Sequence, residues 1–425
     1  MFCDAIRSPI PCLSCGIYHI LFLYSLFFFK IAFFLNVLLE NRIYPICPYI
    51  LYTKRSYLFL ILLLFVLPAA AQKSDKWTGI GFEADYYHSN MMRHSKKITA
   101  PLAQNTTTFD LNFVRKYYGK KDWEIRRHYP EVGLGIIYLN YNNPNLYGQV
   151  FGIFPNIRLR LLTLDRFSWT ARVGMGICYV TKPYERVPKP NLENETIGGY
   201  ANNISPLQTD LKWKINEHWE IQGGAHLIHV SNASFRKPNF GINIWGLQAG
   251  VRYFPISNTP ARIRREVPKL SNRIVVYAKG SIAFIEKYVP DGGLNRVYNA
   301  GIFATKRYLG KNKAILGMDY TYNTAAYAFM KFNERHAGEE NKYAYQASVF
   351  IGNEFTFSRV GIVLQGGVYL KTLDQQTDKF YQKLGANYYI WQKERGILKE
   401  IVLSALLKTH QNNAELFELG LSVGF

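Results

Sequence analysis

Cysteine is scarce in this sequence and lies almost entirely at one end of it. Four of the five cysteines precede residue 48, and Cys178 is the single one beyond residue 71. A chain that keeps only Cys178 cannot form an internal disulfide, and a zinc or iron–sulfur centre built from several thiolates is excluded. The sequence also lacks a His-Glu-x-x-His motif, an EF-hand loop and a glycine-rich phosphate loop. We therefore expect no metal and no cofactor.

Apolar runs long enough to span a bilayer as a helix are missing after residue 71, since such a helix needs about 20 residues. Residues 17–39 are apolar, and by hydropathy they could span a membrane. We favour instead that residues 1–50 are an upstream segment with a misplaced start, because a better export signal follows. Lys54 and Arg55 precede an apolar core at 57–66, and Ala69 and Ala71 supply an Ala-x-Ala site. The sequence thus predicts a signal peptide at 51–71, cleaved after Ala71.

Acidic residues are few relative to basic ones, and the formal net charge is +21. A basic balance is typical of nucleic-acid binding, but an exported protein meets anionic lipid head groups instead. We therefore expect membrane lipid rather than nucleic acid as the partner of this charge. A solvated basic surface without a ligand is the alternative.

What the sequence does contain is alternation of apolar and polar residues in short segments. Lipid offers the backbone no hydrogen-bond partners, so a sheet that spans it must close on itself. We predict an all-β fold, a transmembrane antiparallel β-barrel of the bacterial outer membrane with about sixteen strands. The predicted strands are 78–87, 107–114, 131–141, 150–162, 167–180, 207–215, 219–231, 243–254, 273–285, 297–309, 314–322, 343–357, 360–371, 384–391, 400–409 and 414–425.

The last strand ends on the terminal residue of the chain and carries an unbroken apolar face. This face comprises Phe417, Leu419, Leu421, Val423 and Phe425. A terminal strand that ends on Phe resembles the assembly signal of bacterial outer-membrane barrels. It implies the outer membrane as the location and the barrel-assembly machinery as a partner, whereas the oligomeric state is left open.

The polar connection at 257–272 is the best candidate for a linker. It separates a first strand set, within 72–256, from further strands at 273–425. Either one larger barrel contains both sets, or an eight-stranded barrel precedes a second β unit. We prefer one barrel, because a second closed unit would need its own membrane insertion.

A predicted hairpin at residues 219–254 carries the candidate chemistry. Two strand-like segments flank a polar loop rich in Pro, Asn and Gly. Alternation places His229, Ser231 and Asn243 on the apolar faces of the two strands. A serine is activated by a base whose other ring nitrogen is held by a third group. The pattern indicates Ser231 as nucleophile, His229 as base and Asn243 as the orienting group; a polar hairpin tip without chemistry is the alternative.

Residues 229–243 read His-Val-Ser-Asn-Ala-Ser-Phe-Arg-Lys-Pro-Asn-Phe-Gly-Ile-Asn. This segment resembles the signature of the lipid A 3-O-deacylase (PagL-type, acyloxyacyl hydrolase-like) family of outer-membrane esterases. The resemblance implies His229 as the base, Ser231 as the nucleophile, and Asn232 and Asn239 on the oxyanion side. Backbone N–H groups after Ser231 are further candidates to donate to the oxyanion. Where the family has an acid, this sequence has Asn243, which can orient an imidazole but cannot supply a negative charge.

The function predicted from these features is that of a serine esterase that removes an ester-linked acyl chain from lipid A or another membrane lipid. Arg236 and Lys237 in the hairpin loop are candidates to hold a lipid A phosphate. If the amino terminus is periplasmic, the hairpin tip lies at the outer leaflet. A porin or structural barrel without enzymatic activity is the alternative function, and a secreted β-sandwich is a third.

Overall fold

The computed structural model describes residues 77–256, 261–287, 290, 292–374, 376–411 and 413–425. The predicted upstream segment, the signal peptide and residues 257–260 of the linker lie outside the described residues. The strands are β1 (Ile80–Met92), β2 (Thr106–Lys116), β3 (Glu131–Asn140), β4 (Gln149–Thr163), β5 (Phe167–Gly174), β6 (Gly176–Val180), β7 (Ala201–Lys214), β8 (Trp219–Ser231), β9 (Ile242–Tyr253), β10 (Ile274–Ile285), β11 (Asn295–Tyr308), β12 (Asn312–Asn323), β13 (Tyr345–Phe357), β14 (Val360–Lys371), β15 (Phe380–Gln392), β16 (Glu400–His410) and β17 (Asn413–Gly424).

Short helices occur between some of these strands. They are α1 (Asp122–Arg126), α2 (Thr324–Phe332) and α3 (Glu340–Tyr343). None of the helices in the described ranges has the length and apolar character needed to cross a membrane.

The strands close into two antiparallel barrels. In the first, neighbours follow the order β3-β2-β1-β9-β8-β7-β5-β4, and β3 pairs with β4 to close the ring. Strands β5 and β6 are two parts of one interrupted strand, because both pair with β4 and with β7. The second barrel runs from β10 to β17 in sequence order, and β10 pairs with β17.

The predicted all-β barrel fold of about sixteen strands is confirmed, but the preference for one large ring was wrong. The alternative, an eight-stranded barrel followed by a second β unit, fits the structure. The physical reason is that β1 pairs with β9 across the first strand set, which leaves β10 to pair with β17. Rings of eight strands are small enough for side chains to fill them.

Charged side chains fill the interior of the first barrel. Arg158 donates to both oxygens of Glu83 at 2.5 and 2.7 Å, and Arg172 and Arg252 donate to the same carboxylate at 3.0 and 2.9 Å. All four side chains are fully buried. Charge is tolerated at such depth only when it is paired, so this interior is a packed polar network.

The second barrel has the same distribution of polar and apolar residues. Lys383 donates to Asp319 at 2.7 Å and to Glu418 at 3.0 Å, and all three side chains are buried. Outward-facing positions of β17 are exposed and apolar, as at Leu419 and Leu421. Both barrels therefore have polar interiors and apolar outer faces, which is the pattern of barrels that lie in lipid.

An apolar cluster lies inside the first barrel, where β8 meets β9. Ile228, Val230, Ile242 and Ile244 are almost completely buried in it. Because side chains alternate between faces along a strand, the residues between these four point to the outer face. The cluster thus fixes the hairpin from within.

Candidate active site

The Ser231, His229 and Asn243 side chains meet on the outer face of this hairpin. The register pairs His229 directly with Asn243. His229 Nε2 lies 2.8 Å from Ser231 Oγ, and His229 Nδ1 lies 2.6 Å from Asn243 Oδ1. Because an amide oxygen only accepts, Nδ1 carries the proton and Nε2 is left to accept from the serine hydroxyl. This is the arrangement of a serine beside an oriented base.

The two asparagines of the hairpin loop have fixed amide orientations. Asn239 Oδ1 accepts from the Asn232 backbone N–H at 3.1 Å, and Asn232 Oδ1 accepts from the Arg236 backbone N–H at 3.2 Å. These donors identify the oxygen of each amide and so settle which atom is nitrogen. Within the described part of the chain, both Nδ2 atoms are buried without a hydrogen-bond partner. Buried donors of this kind are costly unless something else supplies an acceptor.

The backbone N–H of Asn232 does not join these free donors. It was among the candidate oxyanion donors expected after Ser231, but it already donates to Asn239 Oδ1. In the described residues, the buried side-chain donors without a partner at this point are the two amide Nδ2 atoms.

Gly241 brings the end of the hairpin loop against His229 and Ser231. Its φ of +77° lies in the left-handed region that favours glycine. A Cβ at this position would lie 2.8 Å from His229 Cε1 and 3.3 Å from Ser231 Cβ. Sequence reasoning identified this glycine only as part of the signature, and the structure shows what it contacts.

Replacing Gly241 with alanine is expected to lower the rate of acyl release about tenfold or more, because the added methyl displaces His229 from Ser231. The measurement is the rate of fatty-acid release from lipid A by the purified protein. Gly338→Ala is the matched control, since Gly338 also has a positive φ of +84° but has no atom within 4 Å of a built Cβ. Equal activity of the two variants would contradict this account.

Two polar side chains of β7 lie beside the pair and were not predicted. The register places Asn203 opposite Ser231 and Ser205 opposite His229. Ser205 Oγ donates to Asn203 Oδ1 at 2.7 Å. The sequence predicted a strand start at residue 207, because Pro206 and two asparagines interrupt the alternation, whereas β7 begins six residues earlier. Opposed residues share a face of the sheet, so the polar patch extends onto β7.

Loops of the first barrel hold the end of the hairpin loop at Phe240. His94 Nε2 lies 2.9 Å from the Phe240 carbonyl oxygen, and the Phe240 N–H donates to the Glu195 carbonyl at 3.4 Å. The Glu195 carboxylate accepts from the backbone N–H and the hydroxyl of Thr99, both at 2.7 Å. Partial burial opposes the charged form, but the Thr99 hydrogen bonds outweigh it and lower the pKa of Glu195. These contacts fix one side of the loop.

Arg236 and Lys237, the candidate phosphate ligands, both contact the second barrel. Arg236 Nη1 donates to Glu286 Oε1 at 3.2 Å, and the Lys237 backbone N–H donates to Glu286 Oε2 at 2.6 Å. Burial, together with the nearby Lys287, lowers the pKa of Lys237. The Arg236 side chain is 41% exposed and so retains a surface open to a ligand. Their role toward phosphate stays a prediction.

Each of the two barrels matches the model of a known protein family. The profile described as lipid A 3-O-deacylase (PagL) matches residues 107–252, and the profile described as acyloxyacyl hydrolase, C-terminal domain, matches residues 272–425. The chain belongs to the PagL-type family of outer-membrane proteins. The resemblance predicted from residues 229–243 is thereby confirmed. Each of the two profiles in this PagL-type chain falls on one barrel.

Solved structures similar to this PagL-type chain include two that are described as outer-membrane proteins. The outer-membrane enzyme PagL is 17% identical, covers 40% of this chain and 97% of its own, and gives a TM-score of 0.27. The neisserial surface protein A is 14% identical over 42% of this chain and 97% of its own, with a TM-score of 0.25. Omp33 of Acinetobacter baumannii is 7% identical over 82% and 97%, with a TM-score of 0.14. The search of curated proteins found no match.

Proposed function

We propose that this chain is a serine esterase that removes an ester-linked acyl chain from lipid A. The observation that carries the proposal is the contact of His229 Nε2 with Ser231 Oγ at 2.8 Å, made while Asn243 holds Nδ1. The lipid A 3-O-deacylase profile over the same barrel supports the choice of substrate.

The reaction proceeds in two steps. His229 Nε2 takes the proton of Ser231 as the serine oxygen attacks the ester carbonyl, and it then gives this proton to the departing alcohol. Water next attacks the acyl-serine, with His229 again taking the proton, and the fatty acid and free Ser231 are released. The Nδ2 atoms of Asn232 and Asn239 donate to the oxyanion that forms in both steps.

The outer face of the hairpin suits a substrate whose acyl chains lie in the membrane. Trp245 and Leu247 follow Asn243 on the same face of β9, and both are exposed. An acyl chain beside them would stay in an apolar environment while its ester group lies at the polar end of the strand. We place this end at the outer leaflet, where the exposed part of Arg236 binds a lipid A phosphate.

The same proposal includes a route to the membrane. Cleavage after Ala71 would release the chain from its signal peptide, and β17 would engage the barrel-assembly machinery. The outward apolar face of β17 supports this role.

The passive porin alternative has less support. In the first barrel, Arg158 and Arg252 contact Glu83 within the interior, and in the second barrel Lys383 contacts Asp319 and Glu418. Ion pairs buried in this way occupy the space that a water-filled channel would need.

The experiment that tests the proposal is a mass spectrum of lipid A from cells that express the protein, beside cells that express Ser231→Ala. We expect loss of one acyl chain with the wild type alone. Both proteins must first show the heat-dependent shift in electrophoretic mobility of a folded barrel. Unchanged lipid A in both samples would overturn the lipid A proposal.

Replacing Asn243 with aspartate is expected to raise kcat about ten- to a hundredfold. A carboxylate at the 2.6 Å position of Asn243 Oδ1 would stabilise the imidazolium of His229 by several kcal/mol, from which the desolvation of the new charge subtracts. The measurement is the rate of acyl release at saturating lipid A. Asn243→Ala is the control and should be slower than the wild type, because it loses the orienting contact. An aspartate variant no faster than the wild type would show that orientation alone matters.

A further inference from the structure

The hairpin loop, residues 232–241, is hydrogen-bonded to the second barrel. Glu286, which directly follows β10, donates its backbone N–H to the Ser234 carbonyl at 2.9 Å. Its carboxylate accepts from the Lys237 backbone N–H at 2.6 Å and from Arg236 Nη1 at 3.2 Å. Ser234 Oγ in turn donates to the Ala414 carbonyl at 2.7 Å. Two adjoining points of the second barrel thus contact one side of the loop.

The carboxylate of Glu286 is buried, and both of its oxygens accept hydrogen bonds from the loop. Its side chain has no exposed surface, whereas its partner Arg236 is partly exposed. A carboxylate removed from water needs donors that match its charge. The Lys237 backbone N–H and the Arg236 guanidinium are such donors. The loop therefore supplies the hydrogen bonds that the buried carboxylate needs, and the same hydrogen bonds hold the loop in place.

The loop needs support from outside because its backbone is strained. Ala233 and Ser234 have φ values of +51° and +65°, and the left-handed region is unfavourable for residues other than glycine. A conformation of this kind persists only when the surroundings hold it. Ser234, the second of these two residues, is held by its contacts with Glu286 and Ala414.

One side of the loop borders a cavity. This cavity, of about 300 Å³, lies at the end of the second barrel and is lined mainly by residues of that barrel. Its lining includes Ser234 and Lys237 from the loop and Glu286, Met330 and Ala414 from the second barrel. Beside this cavity, the hydrogen bonds to Glu286 and Ala414 join the loop directly to the second barrel.

The segment held by Glu286 also orients a proposed oxyanion donor. The Arg236 backbone N–H donates to Asn232 Oδ1 at 3.2 Å, which leaves Asn232 Nδ2 free to donate. Movement of residues 236 and 237 would therefore release the Asn232 amide. We propose that Glu286 is a positioning residue of the esterase, which acts through the Arg236 backbone on Asn232, so that the second barrel completes the active site. This inference rests on the proposed function.

The experiment measures lipid A deacylation by full-length Glu286→Ala and Glu286→Gln variants. We expect Glu286→Ala to lower kcat about tenfold with little change in KM, since a displaced donor weakens only transition-state binding. Glu286→Gln should recover most of the activity, because its amide oxygen still accepts from the Lys237 N–H. Glu339→Ala, which removes an exposed acid at the same end of the second barrel, is the matched control and should equal the wild type.

A double-mutant cycle separates positioning from a general loss of structure. In an Asn232→Ala background, Glu286→Ala should lower kcat less than twofold further, because the group through which it acts is already gone. A full tenfold loss in that background, or wild-type kcat in Glu286→Ala alone, would overturn the proposal.

Tryptic digestion of the folded protein provides a readout that does not depend on activity. Trypsin can cut after Arg236, whereas the bond from Lys237 to Pro238 resists it. Cleavage at Arg236 should be at least about tenfold faster in Glu286→Ala than in the wild type, because local opening controls the rate. If the wild type shows no Ser231-dependent activity, the esterase proposal fails. Faster cleavage would then keep Glu286 as the residue that holds the loop, and unchanged cleavage would remove that role too.

Discussion

Alanine at either Ser231 or His229 is expected to lower the rate of acyl release about 10⁴-fold or more, and alanine at both is expected to lower it hardly further. The two side chains share one hydrogen bond of 2.8 Å and act as a unit, because the serine is a poor nucleophile without the base and the base has no proton to take without the serine. The measurement is fatty-acid release from lipid A by the three purified variants.

The control for this set is His218→Gln. His218 directly precedes β8, at the opposite end of the strand from Ser231, and bonds to the Phe254 carbonyl at 2.8 Å. It should keep wild-type activity. Losses that multiply in the double variant would contradict the shared role of Ser231 and His229, and would point to a nucleophile other than this serine.

Removal of the loop amides is expected to produce the second-largest loss. Asn232→Ala should lower kcat about 10²- to 10³-fold with little change in KM, because an oxyanion donor acts only on the charge that develops in the transition state. Asn239→Ala should have a smaller effect. The Asn232 backbone N–H, which Asn239 Oδ1 now occupies, would become free and could partly replace the lost donor.

The two effects are measured as separate kcat and KM values on lipid A. Asn333→Ala, at an exposed position after α2, is the matched control and should be unchanged. A loss confined to KM would indicate that Asn232 binds the ground-state substrate and would contradict its role toward the oxyanion.

The strands were largely predictable from alternation, because along most strands buried inward-facing residues alternate with exposed outward-facing residues that are mainly apolar. Strand β8 has the predicted bounds, 219–231, and β14 has the predicted 360–371. The ring to which each strand belongs was not predictable in this way. Alternation gives the two faces of a strand but does not choose its neighbour, so one ring and two rings fit the same pattern until the pairing of β1 with β9 is known.

The meeting of the three proposed catalytic side chains could be predicted from the sequence because they lie within one hairpin. His229 and Ser231 are two residues apart, and the register of the hairpin brings Asn243 opposite His229. The contact of Glu286 with the hairpin loop could not be predicted from the sequence, since Glu286 lies fifty residues from Arg236 in a different barrel. In the sequence it is an ordinary acid after a strand, and nothing local indicates that it is buried.

For the proposed esterase, the outward direction of His229 and Ser231 has a kinetic consequence. A site on the outer wall of a barrel is open to the leaflet around it rather than to the solution, so its substrate arrives by lateral diffusion in two dimensions. The quantity that saturates such an enzyme is the mole fraction of substrate in the leaflet. Inert lipid added at constant total substrate would slow turnover, and the fluidity of the leaflet would limit the fastest rates.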